Sequence, residues 1–248
     1  MIRINHISKT YSRNTPGETI ALDDVSLEIG DGEFVVVVGA NGSGKSTLLN
    51  AVAGSISVDS GNLFINNVDV TGQPEHYRSS FVARVFQDPL AGTAPDLSIA
   101  DNFRIAALRT QSKKLKLGVT KTFKNKVREH LSAIGLGLEK DLNKLVGTLS
   151  GGQRQALTLL MATMADCKVL LLDEPTAALD PKTAEQVMQL ADKLITQNKL
   201  TAILVTHNLR YAAAYGSRIL QMQAGKVERD IRSSGDVRMD TAELFQWF

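Results

Sequence analysis

Five consecutive apolar residues, Phe34-Val35-Val36-Val37-Val38, run without a break into Gly39-Ala40-Asn41-Gly42-Ser43-Gly44-Lys45-Ser46. An unbroken β-branched run of this kind suits a strand buried on both faces, as in a parallel sheet, and not a strand with one wet face. The eight residues that follow fit the pattern G-x-x-x-x-G-K-[ST], and from Lys45 to Ala53 the pattern is helical, with Gly54 as its stop. Buried strand, glycine-rich turn and helix in that order aim the amides of the turn and the positive end of the helix at one point. Phosphate is what such a point binds. The glycines allow the backbone to curl, Lys45 reaches the β and γ phosphates, and Ser46 supplies a hydroxyl ligand for Mg²⁺. On these residues alone the chain is a nucleotide phosphohydrolase or a kinase.

A second feature separates the two. Val169-Leu170-Leu171-Leu172 ends in Asp173-Glu174, which places two adjacent carboxylates at the carboxyl edge of the sheet, where the glycine-rich turn also opens. Asp173 can hold the Mg²⁺ shell, and Glu174 can orient and polarise an attacking water as general base. A kinase must exclude water and has no use for the second acid. Glu174 therefore points to hydrolysis.

Around these motifs the chain alternates. After Ser150 come a helix, the strand 169–172, a helix over 181–197, a strand over 201–206 and a further helix, the order of a parallel α/β sheet. Strands 2–7 and 21–29, joined by the turn-rich 12–17, predict an antiparallel edge sheet, and 61–70 reads as a strand with Asn66-Asn67 as a turn. Between 96 and 138 the pattern is helical, with Val127, Leu131, Ile134 and Leu138 on one face, so this section is the candidate second lobe. A hairpin is expected over 218–230 around Ala224-Gly225-Lys226, and a short helix over 241–248 that docks Phe245, Trp247 and Phe248.

Composition narrows the setting. The one cysteine, Cys167, rules out an intramolecular disulfide or a cysteine-built zinc site and reads as a small buried apolar residue. The N-terminus lacks the apolar core of a signal peptide, and no apolar stretch approaches the roughly 18 residues a membrane-spanning helix needs. A net charge of +2, from 28 basic and 26 acidic side chains, predicts no polyanion partner. Lys113, Lys114, Lys116, Lys121, Lys124, Lys126 and Arg128 make the lobe locally basic, but no aromatics interleave with them. A solvated face is the expectation, with no nucleic-acid partner.

Leu149-Ser150-Gly151-Gly152-Gln153, lying between the glycine-rich turn and the acidic strand, resembles the signature of the ABC ATPases, and the whole chain resembles the ATP-binding subunits of ABC transporters. The resemblance implies a single ABC ATPase domain over 1–248 with an α/β P-loop NTPase core, an antiparallel β edge subdomain and a helical lobe. The ATP-binding core would span 1–87 and 150–230, the lobe 88–149 and a C-terminal tail 231–248. It implies ATP and Mg²⁺ as cofactors, with the nucleotide on Tyr11, Gly39, Asn41, Gly42, Ser43, Gly44, Lys45, Ser46 and Thr47. Tyr11 looks like the aromatic that stacks on adenine, Gln87 like the glutamine touching Mg²⁺ and water, and His207 like the switch histidine near the γ-phosphate. Ser150, Gly151, Gly152 and Gln153 would bind the γ-phosphate held by the opposite subunit, and Asp180 resembles the aspartate of the loop that crosses the dimer interface. A hydroxyl and exposed amides at a helix start suit that task.

The implied setting is a cytoplasmic chain peripheral on the inner face of the cell membrane. There it would form a homodimer or pseudo-dimer with ATP and work with an integral membrane permease and an extracytoplasmic substrate-binding protein. Where many family members carry further arginines after the signature, this chain has Arg154-Gln155-Ala156 and Leu160-Met161-Ala162. Gln87-Asp88-Pro89-Leu90-Ala91-Gly92-Thr93-Ala94-Pro95 also departs from the common sequence. With 159–163 it resembles a bacterial importer subgroup, some members of which are linked to aromatic amino acids. An exporter or lipoprotein-extracting ATPase, and a non-transport ABC ATPase, are the alternatives; one cassette, no heptad run and one cysteine speak against the latter.

Overall fold

The computed structural model of the chain describes residues 1–110, 118–132, 134–165, 167–232 and 244. Lys113, Lys114 and Lys116 of the basic run, and Phe245, Trp247 and Phe248 of the expected tail helix, lie outside these residues.

Two sheets organise the chain. The first is antiparallel, in the order β2 (Thr19–Ile29), β1 (Ile2–Tyr11), β4 (Ser60–Ile65), β5 (Val68–Asp69). The expected edge sheet is there, longer than 2–7 and 21–29 suggested and joined by a fourth strand beyond the Asn66-Asn67 turn. The second sheet has six strands in the order β10 (Lys226–Arg232), β9 (Arg218–Gln223), β3 (Phe34–Val38), β8 (Thr201–Val205), β7 (Val169–Asp173), β6 (Val82–Val85). All but β10 run parallel. Strand β6 has no counterpart in the sequence reading: four residues interrupted by Arg84 give neither an apolar run nor a period.

Strand β3 is buried at every residue, and its side chains divide between two cores. Val35 and Val37 join Leu171, Ile203 and Leu220 on the face covered by the helix α1 (Lys45–Ala53) and the antiparallel sheet. Phe34, Val36 and Val38 join Leu170, Leu172 and Leu204 on the opposite face, covered by the helices α5 (Gly151–Met164), α6 (Pro181–Asn198) and α7 (Leu209–Tyr215). Burial on both faces is the physical reason these strands read as continuous apolar runs. Gly54 ends α1 in the left-handed conformation, as its position after the last helical residue predicts. The carbonyls of Ala51 and Val52 in that last turn accept from Arg78 Nη1 of the short helix α2 (Glu75–Arg78).

A third core gathers Ile99 and Phe103 of α3 (Ile99–Ala107), Val127 and Leu131 of α4 (Lys121–Ser132), and Leu157 and Leu160 of α5. The periodic face predicted over 127–138 is thus only half helical. Helix α4 is described to Ser132, Gly135 and Gly137 take positive φ, and Ile134 and Leu138 reach the core from a turn and a 3-10 turn. Helix α5 also faces the second core through Leu159 and Ala162, so it joins the helical section to the sheet. Among the described residues no helix is long and apolar enough to cross a membrane.

Candidate functional site

The glycine-rich turn between β3 and α1 is fixed by close backbone approaches. A Cβ on Gly39 would sit 2.3 Å from the Met222 carbonyl oxygen and 2.6 Å from Ser43 Oγ; one on Gly44 would sit 2.3 Å from the Ala21 carbonyl oxygen. Gly225, in the β9–β10 turn, donates its amide to the Ser43 carbonyl at 3.1 Å and so props the loop from below. Ala224 and Gly225 both take positive φ, the backbone of a tight hairpin turn. The start of α1 has no side-chain cap and no acidic residue in its first turn, which leaves its positive end uncompensated. Lys45 folds back over the loop, with Nζ donating to the carbonyls of Gly39 and Ala40 at 2.8 Å each. Burial pulls the Lys45 ammonium below the usual lysine range, against the opposing pull of Glu174 and Asp173.

Both carboxylates stand at the carboxyl end of β7, within electrostatic reach of that ammonium. Asp173 Oδ2 accepts from Arg84 Nη2 at 2.7 Å. Glu174 takes a positive φ of 44°, anchors its amide to the Val205 carbonyl at 2.9 Å, and meets His207 Nδ1 with Oε2 at 3.1 Å. His207 is mostly exposed while Glu174 is mostly covered, so the histidine closes over the acid from the solvent side.

A cleft of about 750 Å³ collects Tyr11, Asn41, Gly42, Gly44, Lys45, Ser46, Thr47, Gln87, Glu174 and His207. Gly39 lies beside it, in a hollow it shares with Asn41 and His207, and Ser43 is buried beneath the loop with its hydroxyl unpartnered among the described residues. Tyr11 is exposed at the end of β1, opposite Thr19 of β2, with Lys9 Nζ 5.7 Å from its ring centre. Thr19 and Ala21 also line the cleft, a contribution the sequence reading missed because β2 carries no motif.

The signature residues do not reach this cleft. Ser150 caps α5 in a reciprocal box: its Oγ accepts from the Gln153 amide at 3.2 Å, and the Ser150 amide donates to Gln153 Oε1 at 3.1 Å. Ser150, Gly152 and Gln153 line a separate cavity of about 530 Å³ with residues of α6. Asp180 caps α6, accepting from the Thr183 amide at 3.1 Å, and hydrogen bonds from Thr183 hold its carboxyl below the usual range. Gly152 has a structural reason of its own: a Cβ there would meet Thr183 Cγ2 at 2.1 Å.

Two polar side chains outside the sequence expectations bear on the site. Arg84 joins Asp173 to Asn50 Oδ1 of α1, at 2.7 Å on each side. Gln155, fully buried in α5, donates to the Phe86 carbonyl at 3.1 Å, immediately before Gln87. A lone cation in the otherwise apolar β6 was the available signal for Arg84. Ser46 and Gln87 line the cleft, whereas Asp173 is not among its lining residues and stands at the end of β7 with Oδ2 held by Arg84; hard oxygen donors of these three types suit Mg²⁺ completed by phosphate oxygens and water. Among the described residues no cluster of three or more His, Cys, Asp or Glu is placed to cage a metal without them.

Residues 22–177 match the family model described as ABC transporter. Over its whole length the chain is 39% identical to a tyrosine transport ATP-binding protein of Clostridioides difficile, covering 98% of it. It is 34% identical, over 92% of its length and 78% of the relative's, to the energy-coupling factor transporter ATP-binding protein EcfA2 of Acetivibrio thermocellus. Among solved structures it resembles the dimeric post-hydrolysis state of the ATP-binding cassette MJ0796 bound to ADP and Pi, with TM-score 0.81 and 30% identity over 95% of this chain and 100% of that one.

Proposed function

The chain belongs to the ABC transporter family as an ATP-hydrolysing, ATP-binding subunit, and from that premise we propose that the cleft between Tyr11 and His207 holds Mg-ATP and that Glu174 is its general base. The observation that carries this reading is the convergence of Lys45, Ser46, Gln87, Glu174 and His207 on one cleft from four separate chain segments. The loop amides and Lys45 bind the β and γ phosphates, and Tyr11 stacks on the adenine. Ser46, Asp173 and Gln87 hold Mg²⁺, which neutralises the charge that develops on the phosphates. Glu174 takes the proton of the attacking water, and His207, bonded to it, holds the carboxylate in place.

Ser150 to Gln153, with Asp180, serve the nucleotide of the opposite subunit. The separate cavity that Ser150, Gly152 and Gln153 line supports this, as does the dimeric assembly of the MJ0796 cassette. The Ser150 oxygen is engaged as a cap, so its proton remains to be donated to a γ-phosphate. Closure of a homodimer or pseudo-dimer moves a separate membrane permease, and an extracytoplasmic binding protein delivers the solute. An amino acid is the proposed cargo, supported by the tyrosine transport relative.

Glu174→Gln tests the chemistry: ATP affinity stays within about twofold while turnover falls by about 100-fold or more, the scale of a lost general base. Wild-type turnover in that variant overturns the assignment. Purification of the tagged chain from detergent-solubilised membranes of its host, with mass spectrometry of what comes with it, tests the setting. A multi-span permease supports transport; ribosomal or DNA-repair proteins overturn it.

A further inference from the structure

Strand β6 carries one charged residue, Arg84, and the structure spends it on the site. Its Nη2 donates to Asp173 Oδ2 and its Nη1 to Asn50 Oδ1, both at 2.7 Å, with the arginine and aspartate side chains each only 14% exposed. The guanidinium also lies 4.7 Å from the centre of the Phe86 ring, next to Gln87. Three elements thereby meet at one planar cation: α1, which opens on the glycine-rich loop, β7, which ends in Asp173, and β6, which leads into Gln87. Among the described residues Asp173 Oδ1 has no hydrogen-bond partner, so the fork holds one carboxylate oxygen and leaves the other.

We propose that Arg84 is a positioning residue for the metal: it locks the rotation of the Asp173 carboxylate, with Asn50 as its second anchor, so that Oδ1 faces the cation. A carboxylate with one oxygen held by a planar cation that is itself anchored elsewhere, here at Asn50, loses rotational freedom that a contact from an unanchored side chain leaves. Partners of this kind behind a ligating group govern metal affinity nearly as strongly as the ligands do. The inference rests on the reading that Asp173 faces Mg²⁺, and the test separates the two.

The measurement is the affinity of a fluorescent ATP analogue with Mn²⁺ and in EDTA, made on the full chain carrying Glu174→Gln so that nothing turns over. The quantity of interest is the gain in affinity that Mn²⁺ confers. Added Arg84→Met is expected to cut that gain about tenfold or more and to leave the EDTA affinity unchanged, while Arg84→Lys restores part of it. A purely structural role predicts instead equal losses with and without metal. Asn50→Ala, which keeps the Asp173 pair and removes its brace, produces a smaller fall in the same direction and serves if Arg84→Met does not fold. If Asp173→Asn cuts the gain and neither Arg84→Met nor Asn50→Ala does, the role of Arg84 is overturned and the metal reading stands. If Asp173→Asn leaves the gain intact, the metal reading itself is overturned.

Discussion

Lys45 meets two opposed demands. In its proposed role it must be charged to bind phosphate, yet the fold buries it, and burial penalises the ammonium enough to lower its pKa despite Glu174 and Asp173 nearby. Its compensation within the chain is two carbonyl oxygens, Gly39 and Ala40. Replacing it with an apolar side chain of similar length removes the desolvation cost along with the charge. Lys45→Met is therefore expected to melt at or above the wild-type temperature while losing about 2 kcal/mol or more of nucleotide binding, over tenfold in affinity. Thermal melting and nucleotide titration of the same preparation check both halves, and a variant that binds ATP normally refutes the role given to Lys45.

At the scale of elements, α5 and α6 pack too closely for a side chain at Gly152. The Cβ of an alanine there would fall 2.1 Å from Thr183 Cγ2, the methyl of a stiff β-branched residue. Gly152→Ala is expected to cost roughly 1–3 kcal/mol of stability, as overpacking does. Thr183→Ser, which keeps the backbone amide that Asp180 accepts, restores most of it; failure to restore would return Gly152 to a role in phosphate binding alone. The β9–β10 hairpin offers a pH test. Arg218, almost fully buried, grips Asp230 through Nε and Nη2, and this bond holds the carboxyl below its ordinary 3.8. A folded-state pKa below the unfolded one contributes stability above 3.8 and loses it as pH falls through the lower value. Asp230→Asn should accordingly melt below the wild type at pH 6, with the gap narrowing below about pH 4.

Much of this architecture is legible in the sequence, because its elements carry their signals in contiguous residues. Strand β3 is a continuous apolar run, α1 begins at a lysine and is stopped by Gly54, and Asp173 and Glu174 follow four consecutive apolar residues. What escaped was non-local. Strand β6 is four residues long and becomes a strand only by lying beside β7; Arg84 acquires its meaning from Asn50 and Asp173, which are 34 and 89 positions away. Gly152 read as a phosphate contact, and the packing against Thr183 that also excludes a side chain there is visible only once α6 lies against it.

In the whole molecule, the candidate site is divided. One chain brings the glycine-rich loop, Gln87, Glu174 and His207 to a single cleft, while Ser150 and Gln153 open on another cavity. In the proposed dimer a second copy related by a twofold axis solves this, since each copy then offers its signature face to the other's cleft. The arrangement makes a prediction that a site built within one chain does not. Lys45→Ala spoils the cleft of its own copy, and Ser150→Phe spoils the face it presents, so each variant alone is inactive. When the two are mixed, half of the pairs are heterodimers in which both lesions fall on the same composite site and the other site is intact. Random pairing with independent sites then recovers about a quarter of the wild-type ATPase rate. Activity of the mixture equal to the sum of its parts would mean that each site is complete within one copy, and the division of labour between cleft and signature would fall with it.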